Sequence, residues 1–152
     1  MPWISQSSLL PMSPEKVLAS LSIPPLLAVA SGEKATLHYV FPEEIVEGAL
    51  VEYKVLCGVE KITWLAPITL VKDEFIHTDL DDHSLFQYFS ANHFVRSFNG
   101  QSILRDEFEY KSNGVHLDEW MNHCGVQHSF SSRMTIQQRQ TTQFRSLGEE
   151  SA

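Results

Sequence analysis

The chain has 152 residues, 43% of them apolar and 20% charged, with 19 acidic against 11 basic side chains and a formal charge of −8. That is enough for one domain with a sizeable core. The acidic balance disfavours nucleic acid and anionic membrane surfaces as partners, since both need a basic footprint.

No apolar run approaches the roughly 18 to 20 residues of a membrane span, and no basic segment leads into an apolar one at the N-terminus, so no signal peptide is read. Cys57 and Cys124 are the only cysteines. Two cysteines make no disulfide framework, and a reducing cytoplasm is the expected location.

Residues 4–11 are a candidate edge strand. Ser13 is a helix cap and Pro14 suits the first helical position. Val17, Leu18 and Leu21 give the helix one apolar side, and Pro24-Pro25 stops it. Residues 26–30 suit a second short helical turn. From Ala35 the period changes to two. Strands are expected over 35–40, over 50–57, over 61–71 and over 75–79. Pro67 inside the third of these argues for an edge or a bulge.

Two longer runs rich in β-formers follow, 85–95 and 101–111, joined by Arg96-Ser97-Phe98-Asn99-Gly100. Asn-Gly in a short polar connection is a hairpin signal. In the second run Ser102, Leu104, Asp106, Phe108 and Tyr110 share one parity, and Ile103, Arg105, Glu107 and Glu109 the other. Strand side chains alternate between faces. The first set, with Phe89, Ala91 and His93, is expected inside, and Arg105, Glu107 and Glu109 in water. About six strands on short connections mean an antiparallel meander.

After Ser112-Asn113-Gly114 the alternation stops. Trp120, His123, Gln127, Phe130 and Met134 recur at helical spacing, so one long helix is expected over 117–144, fraying beyond Gln137. Gly125 weakens it by about 1 kcal/mol against alanine. Residues 1–146 read as a single domain, and 147–152 as a disordered tail.

The chain resembles the polyketide cyclase/dehydrase-like branch of the START-related (SRPBCC) superfamily. The resemblance runs through Gly48, Val51-Glu52-Tyr53, Gly58, Trp64-Leu65-Ala66-Pro67-Ile68-Thr69, Phe75, Phe86, Phe89, His93 and the stretch from Ser102 to Tyr110. Phe130-Ser131-Ser132-Arg133 matches the Phe-x-x-Arg of the family's last helix. The chain departs from the pattern at Phe89, Ala91 and Ser84-Leu85, where many relatives carry Trp, a second His and Gly-Pro. The resemblance implies an α+β helix-grip fold: a curved antiparallel sheet of six to seven strands wrapped around a long C-terminal helix, with two short helices near the N-terminus. It implies a small hydrophobic or aromatic ligand between sheet and helix.

Tyr53, Trp64, Ile68, Phe75, Phe86, Phe89, Ala91, Leu104, Phe108 and Phe130 are the candidates for contacting that ligand. The bland alternative is a solid aromatic core. His93 and Asp106 fall near one another if the hairpin pairs about its connection, as an acid–base pair or as a buried polar anchor. With Tyr110 to polarise a carbonyl, the catalytic version is a cyclase or dehydrase. No motif demands a cofactor. His123 and His128 are five apart, so no metal site is read.

Overall fold

The computed structural model of the chain describes residues 3–24, 35–122, 124–127 and 143–146. The elements in chain order are β1 (Trp3–Leu10), α1 (Pro14–Leu21), β2 (Ala35–Val40), β3 (Leu50–Cys57), β4 (Glu60–Lys72), β5 (Phe75–Asp81), β6 (Phe86–Phe98), β7 (Gln101–Ser112), α2 (Val115–Asn122), β8 (Cys124–Gln127) and β9 (Gln143–Ser146). They form one curled sheet in the order β8-β2-β3-β4-β5-β6-β7-β1-β9. All described pairings are antiparallel except β2 with β8.

The β6–β7 hairpin has the expected register: His93 lies opposite Asp106, Ala91 opposite Phe108 and Phe89 opposite Tyr110. Its turn is tighter than the five-residue connection read from the sequence. The strands run on to Phe98 and Gln101, and Asn99 and Gly100 alone turn the chain at φ 49° and 79°. Positive φ at both central residues gives the twist that matches the flanking strands. Ser102, Leu104, Asp106, Phe108 and Tyr110 are buried, while Arg105 and Glu109 are exposed. Pro67 sits beside a bulge between Ile68 and Leu70, where the β4–β5 ladder shifts register.

α1 closes one end of the curl. Ser13 Oγ accepts from the Lys16 amide at 3.4 Å, which caps an orphan donor of the first turn. Val17 and Leu21 bury their side chains, and the Phe41 amide donates to the Leu21 carbonyl at 2.8 Å. α2 closes the other end with Leu117 and Met121.

One correction concerns the C-terminal part. The helix expected over 117–144 stops at Asn122, and 124–127 run as a strand along β2. The open β2 edge offers hydrogen bonds to a segment that Gly125 makes a poor helix. The seven strands β1–β7 match the six to seven expected, and among the described residues the short β8 and β9 extend the sheet at its two edges. Phe130, the expected turn of helix at 26–30 and the tail 147–152 lie outside the described residues. No helix among the described residues is long and apolar enough to cross a membrane.

Candidate functional site

Two rows of side chains meet across the interior. Register places Tyr39, Tyr53 and Trp64 side by side on β2, β3 and β4. It places Asp106, His93 and Ile76 side by side on β7, β6 and β5. The curl of the sheet turns the first row onto the second. Tyr39 donates its hydroxyl to Asp106 Oδ1 at 2.7 Å. His93 Nδ1 lies 2.7 Å from the same oxygen, and His93 Nε2 lies 2.9 Å from the Tyr53 hydroxyl. Thr78 Oγ1 is 2.8 Å from that hydroxyl. With a neutral imidazole the chain has one direction: Thr78 donates to Tyr53, Tyr53 to His93 Nε2, and His93 Nδ1–H and Tyr39 to Asp106.

All five side chains are at most 1% exposed. A buried carboxylate beside an imidazole is tolerable only when its lone pairs are met, and here two donors meet it. Rings pack around the network. Tyr39 and His93 have centroids 4.5 Å apart, Tyr53 and Phe89 4.8 Å, and Trp64 and Phe86 4.8 Å. At this level the interior is filled with aromatic packing.

Burial pushes both tyrosine hydroxyls well above their ordinary 10.0, and the Asp106 charge adds to the rise at Tyr39. Above pH 10 the unfolded tyrosines ionise while the folded ones hold their protons, so the unfolded state binds fewer protons. Stability is therefore full below pH 10 and lost above it. The expected fall is about 1.4 kcal/mol per pH unit for each tyrosine. Urea midpoints measured from pH 8 to 11.5 should show it, and Tyr53→Phe should roughly halve the slope. A flat profile in the parent would mean that water reaches these hydroxyls.

The sequence candidates divide. Tyr53, Trp64, Ile68, Phe86, Phe89, Ala91, Leu104 and Phe108 are all in the buried cluster. Phe75 stands outside that cluster, its ring 4.9 Å from Phe94 and 6.0 Å from His77, and unlike those eight it lines a cleft at the α1 end. Tyr110 does not join His93. Its hydroxyl donates to Asn122 Oδ1 and ties β7 to α2. Tyr39 and Thr78, which sequence reasoning missed, take up the network instead. The parity of Ala35, Leu37 and Tyr39 was the available signal for the first.

Two openings border the network, and one is a cleft of about 350 Å³ at the α1 end, which His93 lines. Leu18 of α1, Ile45, Val71, Ile76 and Val95 supply apolar walls, His93 lies at its floor, and 72–75 form its rim. The other, of about 300 Å³, is lined by Tyr39 and Phe41 and by the exposed Leu50 and Leu65 with Glu52 and Lys54, whose parity faces away from the interior. Among the described residues no three His, Cys, Asp or Glu side chains group as a metal site.

No protein-family model matches the chain, and no curated protein matches it. Among solved structures, protein CV1439 from Chromobacterium violaceum superposes with a TM-score of 0.51 at 16% identity, over 80% of this chain and 90% of that one. The major latex-like protein 151 of Panax ginseng gives 0.49 at 13% identity, over 80% and 91%. The neighbouring folds are of the Bet v1-like, major latex and polyketide cyclase type within the SRPBCC superfamily. At such identities the likeness is one of fold alone. The curled antiparallel sheet fits that fold, and most of the stretch expected to form its long C-terminal helix lies outside the described residues.

Proposed function

We propose that the chain binds a small, largely apolar molecule in the cleft between α1 and the β4–β6 end of the sheet. One observation carries the reading: five apolar side chains wall a cleft of about 350 Å³ whose floor is a fixed, buried imidazole. A volume of that order suits a one- or two-ring ligand. Burying about 200 Å² of apolar ligand surface contributes about 5 kcal/mol before ordering costs. The expected affinity is micromolar or weaker.

The test is calorimetric titration and thermal shift with bicyclic aromatics on parent protein and Leu18→Trp. Leu18 is only partly buried, so the larger ring fills the cleft from its wall with little strain in the core. Tenfold or greater loss of binding in that variant is expected. Unchanged binding would remove the cleft as the site.

Acid–base catalysis is a second reading, favoured by one observation. His93 lines the cleft with Asp106 on its Nδ1 and the Tyr53 hydroxyl on its Nε2. Tyr53 then takes the phenol role that the sequence gave to Tyr110. The discriminator is a dehydration or aldol turnover that His93→Gln abolishes while cleft binding persists.

A further inference from the structure

The outward side of β3 carries a set of side chains that the cleft does not use. Leu50, Glu52 and Lys54 alternate with the buried Val51, Tyr53 and Val55, so they stand in one line on the outside of the sheet. Register sets Val40 of β2 on one side of Glu52 and Leu65 of β4 on the other. Leu50 and Leu65 are 49% and 47% exposed. With Val40, Pro24 and Pro42 they give the groove of about 300 Å³ its apolar walls. Apolar surface held in water gains free energy when something covers it.

The groove also holds one charge of each sign. Lys54 Nζ and Glu52 Oε1 are 3.9 Å apart, too far for a hydrogen bond. Neither side chain makes a hydrogen bond to another described residue. The three donors of the ammonium and the oxygens of the carboxylate are therefore open to a bound molecule. The side chains of Lys54 and Glu52 are 21% and 45% exposed, so the pair lies along the groove instead of extending freely into water.

We infer that this groove binds an apolar α-amino acid. Its carboxylate accepts from Lys54 Nζ, its ammonium donates to Glu52, and its side chain lies against Val40, Leu50 and Leu65. A free amino acid bears both charges on one carbon, so it serves two neighbouring side chains at once. Charge-assisted hydrogen bonds then replace an ion pair too long to make one, and apolar burial adds to them. A simple carboxylate would meet Glu52 as a like charge, and a simple amine would meet Lys54 as one. The volume is at the lower end of small-molecule pockets, which suits one ring or one branched chain. The site is separate from the cleft at the α1 end and does not depend on it.

The experiment titrates L-phenylalanine, phenylacetate and phenethylamine into the isotope-labelled full chain at low salt, with backbone amide shifts followed by NMR. The three probes share a ring and differ in the charges they carry. The parent should bind phenylalanine about tenfold tighter than either analogue. The shifts should gather on residues 38–42, 50–54 and 65. In Lys54→Met phenylalanine should lose its advantage over phenethylamine, and in Glu52→Gln its advantage over phenylacetate. Both changes are on the outward face, so the amide spectrum should otherwise match the parent. Equal binding of the three probes would overturn the inference, as would no binding of phenylalanine. An advantage that survives both substitutions, or shifts confined to the cleft at 71–76 and 93–95, would do the same. Sedimentation of the same samples tests the other occupant, a second copy of the chain. A dimer that Leu65→Arg dissociates would give the groove to that contact and overturn the amino-acid site.

Discussion

Asp106→Ala should lower folding stability by about 3–5 kcal/mol, since two fully buried donors lose their shared acceptor. Asp106 Oδ1 accepts from both Tyr39 and His93 at 2.7 Å, and neither donor has water to turn to. The alanine strands both of them. It also unlinks the two walls of the curl, since Tyr39 reaches Asp106 from β2 while His93 stands beside it on β6. Asp106→Asn keeps a carbonyl oxygen for one donor and should lose clearly less. Combining Asp106→Ala with Tyr39→Phe should cost less than the sum of the single changes, because the phenylalanine no longer leaves a buried hydroxyl open. Urea denaturation at neutral pH reads all of these. A loss below about 1 kcal/mol for Asp106→Ala would mean that solvent enters the interior. The aromatic packing around His93 would then not be the barrier it is taken to be here.

Phe108→Ala is the second large effect, also about 3–5 kcal/mol. Phe108 is fully buried. Its ring faces Tyr53 at 6.1 Å, Tyr39 at 6.2 Å, Phe89 at 6.3 Å and His93 at 5.7 Å. Removing it leaves a cavity that rings on several strands would have to collapse into, and rings tethered to a sheet collapse poorly. The neighbouring Glu107→Lys serves as the control. Glu107 points outward beside Arg105 at 3.0 Å, and both side chains keep solvent contact. Such pairs contribute little, so a change within about 0.5 kcal/mol is expected. Small effects of both substitutions would contradict the packed interior. A Phe108→Ala protein that binds bicyclic aromatics more tightly than its parent would show that the new cavity is continuous with the cleft.

The hairpin was readable in the chain because its information is local. Alternation from Ser102 to Tyr110 assigns the faces, and Asn99-Gly100 supplies the turn. A one-residue slip would bury Arg105, Glu107 and Glu109, at several kcal/mol each. His93 and Asp106 could be placed together for the same reason, being close in sequence and fixed by one register. Phe75 was less readable. It and Ile76 are both apolar, so parity within a short strand leaves the inward one open. The pairing of Lys72 with Phe75 and of Ile76 with His93 settles it.

The sequence by itself determined the meander, the faces of its longest strands and the His93–Asp106 pair, since each depends on a period of two and on turns a few residues long. Only the tertiary structure decided what those faces meet. Tyr39 reaches Asp106 across 67 positions, Tyr53 reaches His93 across 40, and Thr78 reaches Tyr53 across 25. Alternation turns a side chain inward but says nothing about which distant strand the curl brings opposite it. The segment from Cys124 to Gln127 illustrates the same limit. Its helical spacing is a local preference, and the unpaired edge of β2, made some ninety residues earlier in the chain, offers backbone hydrogen bonds that outweigh it.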